Sequence, residues 1–507
     1  MTDSEVSNDC ASPRLWWTAL PQPAIVTILT AMVCFAVLRT WVMPMTSSFW
    51  IDEIGTVFVA NHSAADPSLR AVPQVPASIY YALPQALGHL LGISEVVYRI
   101  PSLLAMAAAL ILIGLLARRL IHPDAGWFAV LVCFCLREMN YQAADARPYA
   151  LGTCVAYAGL WFLIRWLDHA KWLDALLFAV CGALLWRIHL LYWPFYLVFA
   201  IYAVLRLWRR ETEVRPLVIG LVFTAIGVSL LPVVVLALEI QRHAQAHVVA
   251  SMPSGTDLLD ALKPKLILGT VAGAALISWW FRWPRIEKPI KSSSLALVVT
   301  AWLCMPACLF LYSHLAGTSV FLMRYLYLAL PGLILTITAL VSAFVPQRHW
   351  RSLALVMGVG VVIFCGHWGT LWPHHHNSDW RGAALAINAA GLGDNLPILC
   401  PSPFIESRPP IWAPGEGLGG FFYAHLLVYP IRGHVYPFPY DHSPEVDALA
   451  TRMSESELPK AGRFLIYGGD LVVKDWTTWF SARPELVGWK HHDIGNFGDV
   501  MAVLFER

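Results

Sequence analysis

The chain has 507 residues, 58% of them hydrophobic and only 13% charged, and its formal net charge is +2. Long uncharged apolar runs account for that balance, which excludes a soluble globular protein and implies a polytopic membrane protein. No basic block of the kind that binds nucleic acid occurs, and the ten cysteines fall mostly in apolar runs without CxxC spacing, so neither a nucleic-acid partner nor a disulfide framework is expected.

The first residues, "MTDSEVSNDCASPRLWW", are polar and acidic and lack a basic region ahead of a short apolar core. Residues 1–21 are therefore expected to be a cytoplasmic tail, with the first apolar run retained as a helix. Runs of membrane-spanning length predict helices at 22–43, 97–117, 124–141, 148–167, 172–189, 190–206, 216–239, 264–281, 293–312, 325–345 and 352–371, about eleven in all. Between 172 and 206, "WRIHLLYWPFY" leaves almost no room for a loop. Arg118, Arg119, Arg165, Lys171, Arg206, Arg209, Arg210, Arg215, Arg282, Arg285, Lys288, Lys291, Arg348 and Arg351 all fall in one alternating set of connections, which the positive-inside rule makes cytoplasmic.

Two regions then lie on the outer side of the transmembrane region 22–371. The first outer loop, 44–96, carries Asp52 and Glu53 and then "VPASIYYALPQALGHLLG", a pattern that predicts short interfacial helices. Residues 372–507 are long enough for a small domain. They offer helix-like "DWRGAALAINAA" and "KDWTTWFSA" and strand-like "LPILC", "RFLIYG" and "VMAVLFER", which together predict an α/β fold. No internal repeat is evident, which argues against an inverted-repeat transporter.

This topology gathers charge at the outer boundary: Asp52 and Glu53, Arg99 opening the second span, Asp145 and Arg147 in "ADARPY", Arg187 and His189, and Arg324 with Tyr325 opening the tenth span. Carboxylates can take a proton from an acceptor hydroxyl or hold a metal, while guanidinium forks and tyrosine hydroxyls match a phosphate. Each residue also has a structural reading. Asp52 and Glu53 suit a helix cap, and Asp145 with Arg147 a membrane salt bridge. Arg99 and Arg324 could snorkel to headgroups, and His189 suits an interhelical hydrogen bond. The run His374 to His376 is read as an interfacial loop, because consecutive histidines cannot all face one ion. No metal ligands are assigned, no cofactor is named, and a divalent metal at the carboxylates stays open.

The ordered set "FWIDE", "YY" before a short interfacial helix, "YRIPS", "ARPYAL" and "RYLYLALPG" resembles bacterial membrane glycosyltransferases of the GT-C superfamily, in the group of the protein mannosyltransferases and aminoarabinose transferases. The similarity covers roughly residues 22 to 345, with a recognisable tail beginning at "DWRGAA". Where relatives often read His-Pro-Pro-Leu-Tyr-Tyr, this chain has Val75, Pro76, Ala77, Ser78 and Ile79 ahead of Tyr80 and Tyr81. The resemblance implies an all-α transmembrane bundle of the GT-C type with a C-terminal α/β extracytoplasmic domain. It also implies a polyprenyl-phosphate sugar donor within the membrane lipid and an outer-face acceptor, whether glycan, lipid or protein. The essential first-loop Asp corresponds to Asp52.

The expected activity is thus an inverting glycosyltransferase with Asp52 as the base or acceptor-orienting group and Glu53 supporting it. Arg99, Arg324, Tyr80, Tyr81, Tyr325, Asp145, Arg147 and His189 would bind donor phosphate or substrate. A transporter or flippase for a lipid-linked or polar solute is the alternative, and it would place its charges near the bilayer midplane.

Overall fold

The computed structural model describes residues 21–62, 66–72, 77–242, 250–283, 290–364, 372–409, 411–415 and 419–507. The tail before residue 21, Val75 and Pro76, Arg285 and Lys288, and the end of the span expected at 352–371 lie outside the described residues.

The first helix, α1 (Gln22–Val37), starts at Pro21 and Pro23 and runs on through two irregular turns to Thr46. The first long loop follows as α2 (Ile51–Asn61), a tight turn at Ile79–Tyr81 and α3 (Ala82–Leu91), which ends where Gly92 takes a left-handed φ of 85°. Ser94 caps the long α4 (Glu95–Leu120) through the Val97 N–H. The expected third span is instead two short helices, α5 (Gly126–Phe134) and α6 (Arg137–Ala143), broken at extended Leu136. The chain continues through α7 (Tyr149–His169), α8 (Trp172–Ile188), α9 (Phe195–Trp208), α10 (Pro216–Ser229) and α11 (Leu231–Arg242). The turn between α8 and α9 occupies only Leu190–Tyr192, and His189 closes it by accepting the Leu191 N–H at 3.2 Å.

After α12 (Gly255–Leu262) and α13 (Pro264–Trp280) come α14 (Ser292–Ala316), α15 (Leu330–Val341) and α16 (Trp350–Phe364). At Gly332 the α15 backbone lies so close to α14 that a Cβ would sit 2.4 Å from the Ala301 carbonyl carbon. A small residue there lets two helices meet backbone to backbone, the usual contact in a membrane bundle.

Among the described residues seven helices are long and apolar enough to cross a membrane, or eight if the α10–α11 pair, bent by 49°, is one span. The expected eleven are therefore not reached. The shortfall lies in the split α5–α6, in α8 with 17 residues, and in α16, of which 15 residues are described.

Beyond the bundle, α17 (Trp380–Ala389), capped by Asp379, leads into five strands: β1 (Pro397–Pro401), β2 (His434–Phe438), β3 (Arg463–Gly469), β4 (Lys490–Asp493) and β5 (Val500–Glu506). Their order is β2-β1-β3-β5-β4, with β1 parallel to β2 and β3, and β5 antiparallel to β3 and β4. Side chains alternate across the sheet. Leu399, Ile466 and Val503 face α19 (Pro444–Glu455) and α21 (Asp470–Ser481), which follow α18 (Ala424–Val428) and flank α20 (Glu457–Ala461). Ile398, Leu465 and Leu504 face the other way, into a core shared with Ile54, Val57 and Phe58 of α2. The sheet domain is thereby seated on the loop that carries α2.

Candidate active site

Asp52 and Glu53 are the second and third residues of α2, where carboxylates meet the unpaired N–H groups of a helix start. Neighbouring helical positions diverge by about 100°, and the pair divides accordingly. Glu53 turns inward and is wholly buried. Its Oε1 accepts from Arg99 Nε and from the Ala146 N–H, both at 2.7 Å, while Oε2 accepts from Arg99 Nη2 and, at 3.3 Å, from the Trp50 N–H. Arg99 is equally buried, and Nη1 and Nη2 also donate to the carbonyls of Met45, Ser47 and Ser48 at 2.9, 2.7 and 3.1 Å.

Asp52 faces the other way. Its Oδ2 accepts from Arg324 Nη1 at 2.9 Å and lies 3.8 Å from Arg147 Nη2, and Arg147 Nη1 donates to the Asp52 carbonyl at 3.1 Å. Tyr81 reaches this group through a 3.5 Å contact of its hydroxyl with Arg147, and the guanidiniums of Arg324 and Arg147 lie over the rings of Tyr325 and Tyr149. The Nε atoms of Arg147 and Arg324 are buried without a partner among the described residues, so both forks keep donors in reserve.

These groups edge a cavity of about 750 Å³, within the range of small-molecule sites. Asp52, Tyr81, Arg147, Arg187, His189, Arg324 and Tyr325 line it, an apolar wall of Trp186, Val234, Leu238 and Tyr312 bounds one side, and Pro403, Phe404, Ile405 and Glu406 of the sheet domain contribute to its lining. Of the residues expected at the site, those lining the cavity are Asp52, Tyr81, Arg147, His189, Arg324 and Tyr325. Glu53, Arg99, Tyr80 and Asp145 are not among its lining residues. The structure places these residues in other contacts: Glu53 and Arg99 pair with each other, and the Tyr80 hydroxyl is buried against Ser102 Oγ at 3.0 Å.

Asp145 is held behind the site by Trp50 Nε1 at 3.0 Å, and burial pushes its carboxyl up to about 6. His375 Nε2 lies 3.6 Å from Asp145 Oδ1, and burial pushes that imidazole down to about 3. Glu53, Asp145 and His375 present ligand atoms within 4.8 Å of one another, a set the sequence does not announce because His375 is far off in the chain. Both Glu53 oxygens are already taken by Arg99 and backbone N–H groups, which leaves Asp145 Oδ2 and His375 Nε2 as the unpartnered pair. A guanidinium sharing the carboxylate disfavours a divalent cation there. Sequence reading also missed Glu406, an acid in the Pro-rich "PSPFIESRPP" with no spacing signal, and Trp50, whose indole N–H only the fold aims at Asp145.

The model of the dolichyl-phosphate-mannose-protein mannosyltransferase family matches residues 76–235, less than a third of the chain. No curated protein sequence matches it. Among solved structures, ArnT from Cupriavidus metallidurans bound to undecaprenyl phosphate is similar at 12% identity and a TM-score of 0.53, covering 96% of this chain and 98% of that one. The apo structure of the same ArnT is similar at 11% identity and a TM-score of 0.54, over 95% and 98%. The chain shares the overall fold of these ArnT structures.

Proposed function

We propose that this protein is a membrane glycosyltransferase that moves a sugar from a polyprenyl phosphate to an acceptor on the extracytoplasmic face. The observation that carries the reading is Asp52 at the edge of a partly apolar cavity, paired with Arg324 and beside Arg147. The apolar wall suits a prenyl chain, and the guanidiniums suit its phosphate. An acceptor hydroxyl attacks the anomeric carbon, its proton passes to Asp52, the carbon–oxygen bond to phosphate breaks, and the phosphate keeps the electron pair. Attack opposite the leaving group inverts the anomeric centre. Donor phosphate competing for Arg324 loosens its hold on Asp52 and frees an oxygen of that carboxylate for the acceptor hydroxyl. The similar ArnT structure bound to undecaprenyl phosphate supports the donor class. A transporter would place its charges at midplane, whereas here they gather at the ends of helices and beside the sheet domain.

Purified protein incubated with a panel of undecaprenyl-phosphate sugars and a membrane extract is expected to release undecaprenyl phosphate; no release with any sugar would overturn the reading. Arg324→Lys is expected to fold but to bind undecaprenyl phosphate about tenfold more weakly, because an ammonium cannot reproduce the paired fork. Unchanged binding would make Arg324 a partner of Asp52 alone.

The alternation of basic connections puts the N-terminus inside and the sheet domain outside. A reporter active only in the cytoplasm, fused after Arg507, should stay silent. Strong signal would place the domain and the cavity on the inner face.

A further inference from the structure

The sheet domain does more than cover the cavity. Among its lining side chains is one carboxylate, Glu406, from the segment after β1, and this residue is only partly exposed. Among the described residues its carboxylate has no ion pair and no hydrogen bond from another residue, the Arg408 N–H donating instead to the Glu406 carbonyl at 2.9 Å. Its neighbour Arg408 attracts it through space but does not bond to it, since that guanidinium lies 3.8 Å from Asp441 and donates to the Ile405 carbonyl at 2.8 Å. The electrostatic neighbours of Glu406 include Asp52 and Arg324, and burial raises its carboxyl above the ordinary range.

A half-buried carboxylate without a partner is costly unless a ligand supplies donors. That ligand group is not the phosphate, because an acid repels an anion and the guanidiniums already serve it. It must carry several hydroxyl donors and no negative charge. Resting on the reading of the cavity as a glycosyl-transfer site, we propose that Glu406 binds the hydroxyls of a neutral sugar ring and that the sheet domain thereby supplies substrate selectivity to the site in the membrane bundle. Carboxylates are acceptor-only when ionised, and two oxygens suit two neighbouring ring hydroxyls.

The ring could belong to the donor or to the acceptor, and three probes separate these sources: undecaprenyl phosphate, an undecaprenyl-phosphate hexose, and a methyl hexoside as acceptor surrogate. With the full-length protein, Glu406→Gln should bind undecaprenyl phosphate as well as the wild type or slightly better, since a negative charge has gone. It should bind the phosphate-linked hexose, or the methyl hexoside, about tenfold more weakly, and whichever probe responds identifies the ring. Glu406→Asp should lie between the two and guards against misfolding, with a monodisperse elution profile required of each variant. If the affinities of both sugar probes are unchanged in Glu406→Gln, the proposal is wrong. Should undecaprenyl phosphate fail to bind even the wild type, the glycosyltransferase reading falls, while the methyl hexoside still decides the role of Glu406.

Discussion

Asp52→Asn is expected to lower sugar transfer by about 10²- to 10⁴-fold, the range that a positioned general base contributes. The substitution keeps size and one hydrogen-bonding oxygen, so the start of α2 and the seating of the sheet domain on Ile54 and Phe58 should survive. What it removes is charge and basicity at the one first-loop carboxylate that lines the cavity. Release of prenyl phosphate from the best donor, measured at saturating donor, reads the loss. Binding of undecaprenyl phosphate should stay the same or tighten, because Arg324 and Arg147 no longer share their forks with an anion. That split between lost turnover and retained donor binding separates a base from a mere scaffold. Transfer within twofold of the wild type would return Asp52 to a helix-end residue that only orders Arg324.

How much of this was legible in the sequence depends on the range of the interaction involved. Apolar runs locate most of the helices, because lipid forces the backbone to satisfy itself within each segment. Short apolar runs likewise locate β1, β3 and β5, each buried on both faces. The break at Leu136 was signalled by "REMN", whose Arg137 and Glu138 make a poor middle for a span, yet the flanking apolar run masked it. Strand β2 escaped because Pro437 argues against a central strand; at the edge of the sheet the missing N–H costs nothing. The site was legible in its members and not in their division of labour. "FWIDE" and "YRIPS" mark Glu53 and Arg99, but nothing local says that they meet across 46 residues and spend themselves on each other. Arg147, open between a membrane salt bridge and a binding role, and Arg324, open between snorkelling and a binding role, turn out to meet at one carboxylate. Glu406 needed the tertiary fold, since only the docking of the sheet domain brings it near Asp52.

The division of the acidic pair sets up the second large effect, which falls on stability. Arg99→Met leaves Glu53 as a fully buried carboxylate with no counter-ion, and Glu53→Gln leaves Arg99 with its strongest acceptors neutralised. Breaking one side of a buried pair costs about 3–5 kcal/mol, against a native margin of roughly 5–15 kcal/mol. Here the loss spreads further, because Arg99 also ties down the carbonyls of Met45, Ser47 and Ser48 where the chain leaves the first span. Most Arg99→Met protein should therefore elute as aggregate from detergent extracts, and the remainder should melt well below the wild type. The double variant Glu53→Gln with Arg99→Met should recover part of that loss, since no unpaired charge remains buried. If Arg99 instead held a donor phosphate, Arg99→Met would elute and melt like the wild type and lose only its affinity for undecaprenyl phosphate. Thermal unfolding and prenyl-phosphate binding, measured on the same preparation, therefore tell a structural clamp from a ligand site.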